Sequence, residues 1–169
     1  MSDISQSELW NGEMGERWAA YSDALDHMLS PFIEPIMTAA ALQPGERVVD
    51  IGCGAGVLSV RAAADVAPMG QVVGVDVSRP IVDVAEARFG ERGDVAFEVT
   101  DASVWKPADL FDVLISRFGV MFFEDPVGGF QNLRAAIKPG GRMAFACWRT
   151  LPENDWAFAL MKAVLPAIG

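Results

Sequence analysis

The sequence predicts a doubly wound α/β domain around a parallel sheet, and three observations carry that expectation. From residue 44 to 149, short β-branched runs alternate with helical stretches at short intervals, the pattern of repeated βαβ units. The first run, Val48-Val49-Asp50-Ile51, passes into a glycine-rich bend, Gly52-Cys53-Gly54-Ala55-Gly56, and then into a helix. At 169 residues the chain suits one hydrophobic core, since folding at that size hides roughly 70% of the unfolded surface.

The predicted strands are Arg47–Ile51, Gln71–Asp76, Val95–Val99, Asp112–Ser116 and Arg142–Trp148. Between the first two, the alanine-rich stretch Val57–Ala67 is a helix that stops before Pro68. Ser78 is placed to cap a helix over Arg79–Arg88, with Pro80 tolerated in its first turn. Asp125-Pro126 opens another helix in the same way. Pro139-Gly140-Gly141 is expected to end it and turn the chain into the last strand. Gly128-Gly129 weakens that helix by roughly 1 kcal/mol per glycine.

Ahead of the sheet, Trp10, Met14, Trp18, Tyr21, Leu25 and Met28 recur at spacings of three and four, one face of a helix. That face packs on the core or forms a lid over a ligand cleft, with glycines 12 and 15 loosening it. A second helix follows Ser30-Pro31 and turns Phe32, Ile36, Met37 and Ala40 to one side. The division is an N-terminal helical cap, residues 1–43, and a core, residues 44–169, within one structural domain. The last stretch carries Trp156, Phe158, Leu160, Met161, Val164, Leu165 and Ile168, an apolar segment that asks for a covering surface.

Hydrophobic residues make up 51% of the chain and the mean hydropathy is +0.25. Charges such as Lys162, Arg142 and Asp112 nevertheless interrupt every apolar run short of the ~20 residues a spanning helix needs. Met1-Ser2-Asp3-Ile4-Ser5 lacks the features of a secretory signal, so a cytoplasmic, non-membrane protein is expected. Cys53 and Cys147 lie far apart without a Cys-x-x-Cys pair, which suggests buried thiols and no metal site. A net charge of −10 opposes binding to a polyanion, so nucleic acid is not an expected partner.

The glycine bend is the most informative segment. Counted from Gly52, the third glycine of a dinucleotide G-x-G-x-x-G fingerprint would fall on Val57, whereas D-x-G-x-G-x-G fits without a mismatch. A carboxylate at the strand end suits a ligand with a cationic amino group and sulfonium better than a pyrophosphate. The segment resembles motif I of the class I S-adenosylmethionine (SAM)-dependent methyltransferases. The resemblance implies a Rossmann-like sheet of about five parallel strands in the order 3-2-1-4-5, SAM as methyl donor and S-adenosylhomocysteine (SAH) as product.

It also assigns residues. Asp50 helps hold the methionine end, and Gly52, Cys53, Gly54 and Gly56 shape the floor beneath it. Asp76, followed by Val77, accepts hydrogen bonds from both ribose hydroxyls, a task suited to the two oxygens of a carboxylate. Thr100-Asp101-Ala102 is similar to the adenine contact. Ser116-Arg117-Phe118-Gly119 follows the fourth strand at the ligand edge, and Ile137-Lys138-Pro139-Gly140-Gly141 matches the turn before strand five. Trp18, on the possible lid, completes the expected cofactor set.

The stretches Trp10-Asn11 through Gly15-Glu16-Arg17-Trp18, Ser116 through Phe123, and Cys147-Trp148-Arg149 are similar to bacterial small-molecule enzymes of the ubiquinone/menaquinone methyltransferase type. Compared with a full-length class I enzyme, the final antiparallel hairpin is missing, and an uncovered edge favours self-association, so a homodimer is expected. The expected activity is methyl transfer to a small molecule, chiefly a matter of aligning donor and acceptor. No catalytic base is identified. The candidates are His27, the sole histidine, and Arg117, which could instead anchor an acidic acceptor or contact the cofactor. Two other readings are weighed: a SAM-binding module that has lost catalysis, and a nicotinamide-dependent reductase, which the glycine spacing and the lack of a Tyr-x-x-x-Lys pair disfavour.

Overall fold

Five parallel strands hydrogen-bond in the order β3-β2-β1-β4-β5 in the computed structural model, which describes residues 5–155, 159, 162 and 164. They are β1 (Arg47–Ile51), β2 (Gln71–Asp76), β3 (Val95–Val99), β4 (Phe111–Arg117) and β5 (Ile137–Ala146). Four helices precede the sheet: α1 (Gln6–Asn11), α2 (Glu13–Ala20), α3 (Ser22–Leu29) and α4 (Ile33–Ala40). Three more connect its strands: α5 (Val57–Val66), α6 (Arg79–Phe89) and α7 (Pro126–Ala135). The expected strand order is the observed one, and no helix among the described residues is long and apolar enough to cross a membrane.

Alternation along the central strands divides the core in two. Val48, Val113 and Ile115 pack with Ile36, Met37 and Ala40 of α4 and with Leu58, Ala62 and Val66 of α5. Val49, Ile51 and Leu114 face the other way, onto Leu133 of α7, Phe111 and Ile137. Successive strand residues point to opposite faces, and both faces here are covered, so the run reads as continuously apolar. In β1 a polar residue interrupts it: Asp50, on the same parity as Val48 and wholly buried.

Helix α4 is part of this sandwich. Arg142 of β5 donates from Nε to the carbonyl of Ala40 at 2.5 Å and from Nη2 to that of Ala41 at 2.8 Å, while pairing with Glu46 at 2.7 Å. A guanidinium thus satisfies carbonyls that the helix end leaves without partners.

Four local expectations are corrected. The N-terminal stripe is not one helical face, because Gly12 adopts extended backbone (φ −97°, ψ −154°) and Tyr21 ends α2 (φ −106°, ψ 16°). Those breaks rotate Met14, Tyr21 and Met28 into solvent. Gly15 does not loosen its helix: it is buried, and a Cβ there would lie 1.9 Å from the Trp10 carbonyl oxygen. Ser78 occupies the cap position of α6, but its hydroxyl donates to the Trp10 carbonyl at 2.6 Å. The first amide of α6 is served instead by the side chain of Asn11, at 2.9 Å.

The fourth correction concerns β5. It begins at Ile137 and ends at Ala146, because Pro139-Gly140-Gly141 is a bulge inside the strand. The register moves from Phe111↔Ile137 to Val113↔Arg142, two residues along β4 against five along β5. Gly140 takes φ +82° there. Of the apolar C-terminal segment, Trp156, Phe158, Leu160, Met161, Leu165 and Ile168 lie outside the described residues.

Ile36 of α4 is 3% exposed among the β1, β4 and α5 side chains. Ile36→Ala should therefore cost about 2–5 kcal/mol and lower the urea midpoint of one cooperative transition. A midpoint equal to wild type would show that α4 does not belong to the core.

Candidate functional site

In an open parallel sheet the strand order reverses between β1 and β4, and ligands bind there, beyond the carboxyl ends of the strands. A cavity of about 750 Å³ occupies that position, within the usual size of a ligand pocket. Its walls come from all five strand ends: Asp50 to Gly54 at β1, Val75 to Val77 at β2, Thr100 to Val104 after β3, Arg117 to Gly119 at β4, and Trp148 after β5. Trp10, Trp18, Met28 and Leu29 close it from the N-terminal helices.

The bend after β1 is held by its neighbours on both sides. Toward β2, the amides of Gly52 and Cys53 both donate to the Val75 carbonyl, at 2.8 and 3.0 Å. Toward β4, Ser116 donates its hydroxyl to the Ile51 carbonyl at 2.6 Å and accepts from the Gly119 amide at 3.1 Å. Gly52 has φ +66°, and a Cβ on it would lie 2.5 Å from the Gly119 Cα, so the two loops touch backbone to backbone. Gly54 differs: it also has positive φ, +56°, but no heavy atom lies within 4 Å of where its Cβ would be. Its amide donates to Asp76 at 3.0 Å, which leaves the space beside a cavity-lining backbone open.

Two acidic side chains sit deep in this site. One oxygen of Asp50 accepts from the Ser59 hydroxyl at 2.7 Å, and the other, Oδ1, has no partner. Burial is the main reason its carboxyl is pushed up to about 7. The Ser59 hydrogen bond and the Arg117 charge oppose that rise, and the neighbouring Asp76 adds to it. Asp76 is also raised by burial, partly offset by amide hydrogen bonds from Ser78 and Gly54, each 3.0 Å long. Cys53 is buried, and its thiol is pushed up by desolvation and by the two carboxyls. A buried carboxylate with an unused oxygen asks for a positive partner. Among the described residues no cluster of ligating side chains could hold a metal ion.

The structure brings Asp50, Gly52, Cys53, Gly54, Asp76, Val77, Asp101, Ala102, Arg117 and Trp18 to the one cavity. Three expected residues are not on its wall. Gly56 caps α5, and its missing Cβ makes room for the rings of Phe97 and Phe89. Ser116 is fully buried, bonding backbone to backbone behind the site. His27 is exposed on α3 and is not among the residues that line the cavity. Asp101 lines the cavity, with one oxygen taken by the Ser103 amide at 2.8 Å and hydroxyl at 2.6 Å.

Several contacts within the site escape sequence reasoning. Trp10 meets Trp18 edge-on at 5.5 Å and Phe122 at 5.3 Å. Phe118, in left-handed backbone at φ +69°, stacks on Trp148 at 4.3 Å and meets Phe32 at 4.9 Å. Asn11 donates to the Val77 carbonyl at 2.8 Å and so closes the N-terminal helices onto the β2 edge. Only the aromatic content of Trp10–Trp18 and Phe118–Phe123 signals them, and a spacing rule cannot say which rings meet.

A glycine bend that leaves room at Gly54, a buried acceptor at the tip of β1, a second carboxylate at the tip of β2 and aromatic walls fit a cationic nucleoside such as SAM. Fold and site together define a nucleoside-binding α/β domain of the methyltransferase type. Comparison with known proteins agrees: the family model described as "Methyltransferase domain" matches residues 48–141, and the chain belongs to the class I SAM-dependent methyltransferase family. It is 36% identical over 104 residues to the aklanonic acid methyltransferase DauC of Streptomyces sp. (strain C5), covering 60% of this chain and 47% of that protein. It is 29% identical over 160 residues to the nocamycin O-methyltransferase of Saccharothrix syringae, covering 90% and 57%. The chain thus spans about half the length of the curated relatives it matches. Coclaurine N-methyltransferase, solved with N-methylheliamine and SAH, shares the fold at a TM-score of 0.58 and 18% identity, over 72% of this chain and 36% of that one.

The two glycines separate structure from binding. Gly52→Ala should cost more than the roughly 1–2 kcal/mol of left-handed strain alone, because its Cβ meets backbone. Gly54→Ala should cost only that strain, while weakening SAH binding by titration calorimetry. Equal effects of the two substitutions on both thermal stability and SAH affinity would contradict this division.

Proposed function

We propose that this chain binds SAM in the cleft between β1 and β4 and takes part in transferring its methyl group to a small-molecule acceptor. The observation that carries the reading is the pair of carboxyls at the tips of β1 and β2, both belonging to residues around the cavity, Asp50 wholly buried with an oxygen that no protein group partners and Asp76 half-buried. When bound, SAM supplies a methyl group already activated by the positive sulfur. Asp50 offers its free oxygen to the cationic amino end of the ligand. Asp76 is fixed by the Gly54 and Ser78 amides and presents its remaining lone pairs to the ribose hydroxyls. Ala102 and Asp101, beyond β3, flank the position of the base.

The chemistry asks the protein chiefly for alignment, and rigid positioning can supply roughly 7–11 kcal/mol of a barrier. Trp10, Trp18, Phe118 and Phe122 suit that task, as large side chains that exclude water from the cavity and present flat apolar surfaces. A small-molecule acceptor is supported by the names of the two relatives, which cite aklanonic acid and nocamycin. The exposed His27 gives no support to a histidine-based deprotonation.

Titration calorimetry checks the cofactor half: SAH should bind, and NAD and NADP should not. Asp76→Ala should weaken SAH roughly tenfold or more, the loss expected for hydrogen bonds to a charged acceptor. Binding of NAD without SAH would overturn the reading, and unchanged affinity in the variant would overturn the role of Asp76. Incubation with methyl-labelled SAM and a panel of phenols, quinols, amines and carboxylic acids checks the transfer half, with labelled product expected from one class. SAH binding without product from any class would contradict transfer by this chain.

A further inference from the structure

The proposed cofactor uses three of the five strand tips around the cavity: Asp50 at β1, Asp76 at β2 and Asp101-Ala102 after β3. The tips of β4 and β5 are left over, and the residues they bring to the cavity are of another kind. Phe118 follows β4 and Trp148 follows β5, their rings stacked at 4.3 Å with 10° between the planes. Phe32, which is not among the lining residues, braces both edge-on at 4.9 and 5.4 Å. Met28 and Leu29 of α3 add apolar lining.

This ring pair is held in place by backbone. The Phe118 amide donates to the Ala146 carbonyl at 3.0 Å and carries the β4–β5 ladder one step past the end of β4. Phe118 then takes φ +69°, a state uncommon for a bulky residue and kept only where its surroundings impose it. It is 6% exposed, and Trp148 is half-buried. Aromatic rings pack best on other rings, offset or edge to face, so a fixed ring pair in a cavity wall favours a flat aromatic ligand.

Charge divides the cavity in the same way. Asp50, Asp76 and Asp101 surround the cofactor half, and Glu124 and Asp125 lie just ahead of α7. At the tip of β4, Arg117 is the one basic residue among the described residues that line the cavity. Its side chain is 9% exposed and donates from Nη2 to Asp26 at 2.8 Å, while Nη1 has no protein partner. Asp26 does not spend its whole charge on Arg117, since its other oxygen accepts from Arg88 at 3.0 Å. A buried guanidinium with an unused donor favours an anion.

We infer that the β4–β5 half of the cavity is the acceptor subsite and takes a planar aromatic carboxylic acid, its ring against the Phe118–Trp148 pair and its carboxylate drawn to Arg117. The inference rests on the proposed binding of SAM in the other half and adds the chemical class of the acceptor. Each charge then has its own end of the cleft, the sulfonium nucleoside among carboxyls and the anionic acceptor beside the guanidinium.

The test reads acceptor binding apart from cofactor binding. SAH-saturated protein is titrated with naphthoate, with naphthamide, which keeps the rings and loses the charge, and with decalin carboxylate, which keeps the charge and loses the flat rings. Wild type should prefer naphthoate to the amide by roughly tenfold or more, the worth of a hydrogen bond to a charged group. It should prefer naphthoate to the saturated acid by roughly threefold or more, the worth of ring packing. Arg117→Met should bring the acid-to-amide ratio toward one, with Arg117→Lys restoring part of it, and Trp148→Leu should bring the flat-to-saturated ratio toward one. Equal wild-type affinity for acid and amide, or no binding of naphthoate to the SAH complex, would overturn the acceptor class while leaving the cofactor reading intact. Loss of SAH binding in R117M would give Arg117 to the cofactor and overturn the division of the cavity. Failure of wild type to bind SAH would instead overturn the cofactor reading on which the inference rests.

Discussion

The site depends on one constraint: a carboxyl placed inside the apolar interior at the end of the central strand. Asp50 lies between Val49 and Ile51, both fully buried, and on the same side as Val48. Its only side-chain partner is the Ser59 hydroxyl on the first turns of α5. Burying an ionised carboxylate with half its acceptor capacity unused is expensive. The ligand-free protein meets that cost by holding the proton, with Asp50 raised from 3.8 to about 7. Because the unfolded chain gives up this proton first, the ligand-free fold loses stability as pH climbs from about 4 to about 7, and no further above that. A cationic ligand reverses the balance, since it favours the ionised form.

Other features of the cleft follow from keeping that carboxyl in place at its floor. Tight contact between Gly52 and Gly119 brings β1 and β4 together behind the bend. Ser116, bonded to the backbone on both sides of that contact, locks it. The second carboxyl, Asp76, is tied by the amides of Gly54 and Ser78, so the bend and the start of α6 are mutually oriented. The N-terminal helices close over the result through Trp10, Asn11 and Asp26, each bonded to residues at or just beyond the ends of β2 or β4. These contacts tie the covering helices to the same strand ends that form the cavity floor.

How far the sequence reveals this depends on the range of the interaction involved. Strand β1 lies where its β-branched run places it, because a parallel strand covered on both faces has no competing pattern, and the edge strand β3 shows the alternation of a strand with one exposed face. Strand β5 departs from expectation because Pro139-Gly140-Gly141, an apparent helix stop, is accommodated as a bulge. The N-terminal stripe misleads for a similar reason: one extended residue, Gly12, resets the helical phase, and spacing cannot show that. The places of Asp50 and Asp76 at the strand tips beside the cavity are legible, since local strand-to-turn geometry sets them. Gly56 and Ser116, which the motif implies as ligand contacts, lie behind the cavity wall. Asp26, the partner of Arg117, is 91 residues away in sequence, and no local pattern announces such a pair.

The most direct measurement of the central claim is the proton count on binding. Titration of SAH at pH 6 in two buffers of different ionisation enthalpy should show nearly one proton released, as Asp50 ionises against the incoming ammonium beside Arg117 and Asp76. The release should vanish by pH 8, where Asp50 is already ionised, and affinity should rise with pH up to about 7 before levelling. SAH binding with no proton exchange at pH 6 and constant affinity across that range would contradict the account.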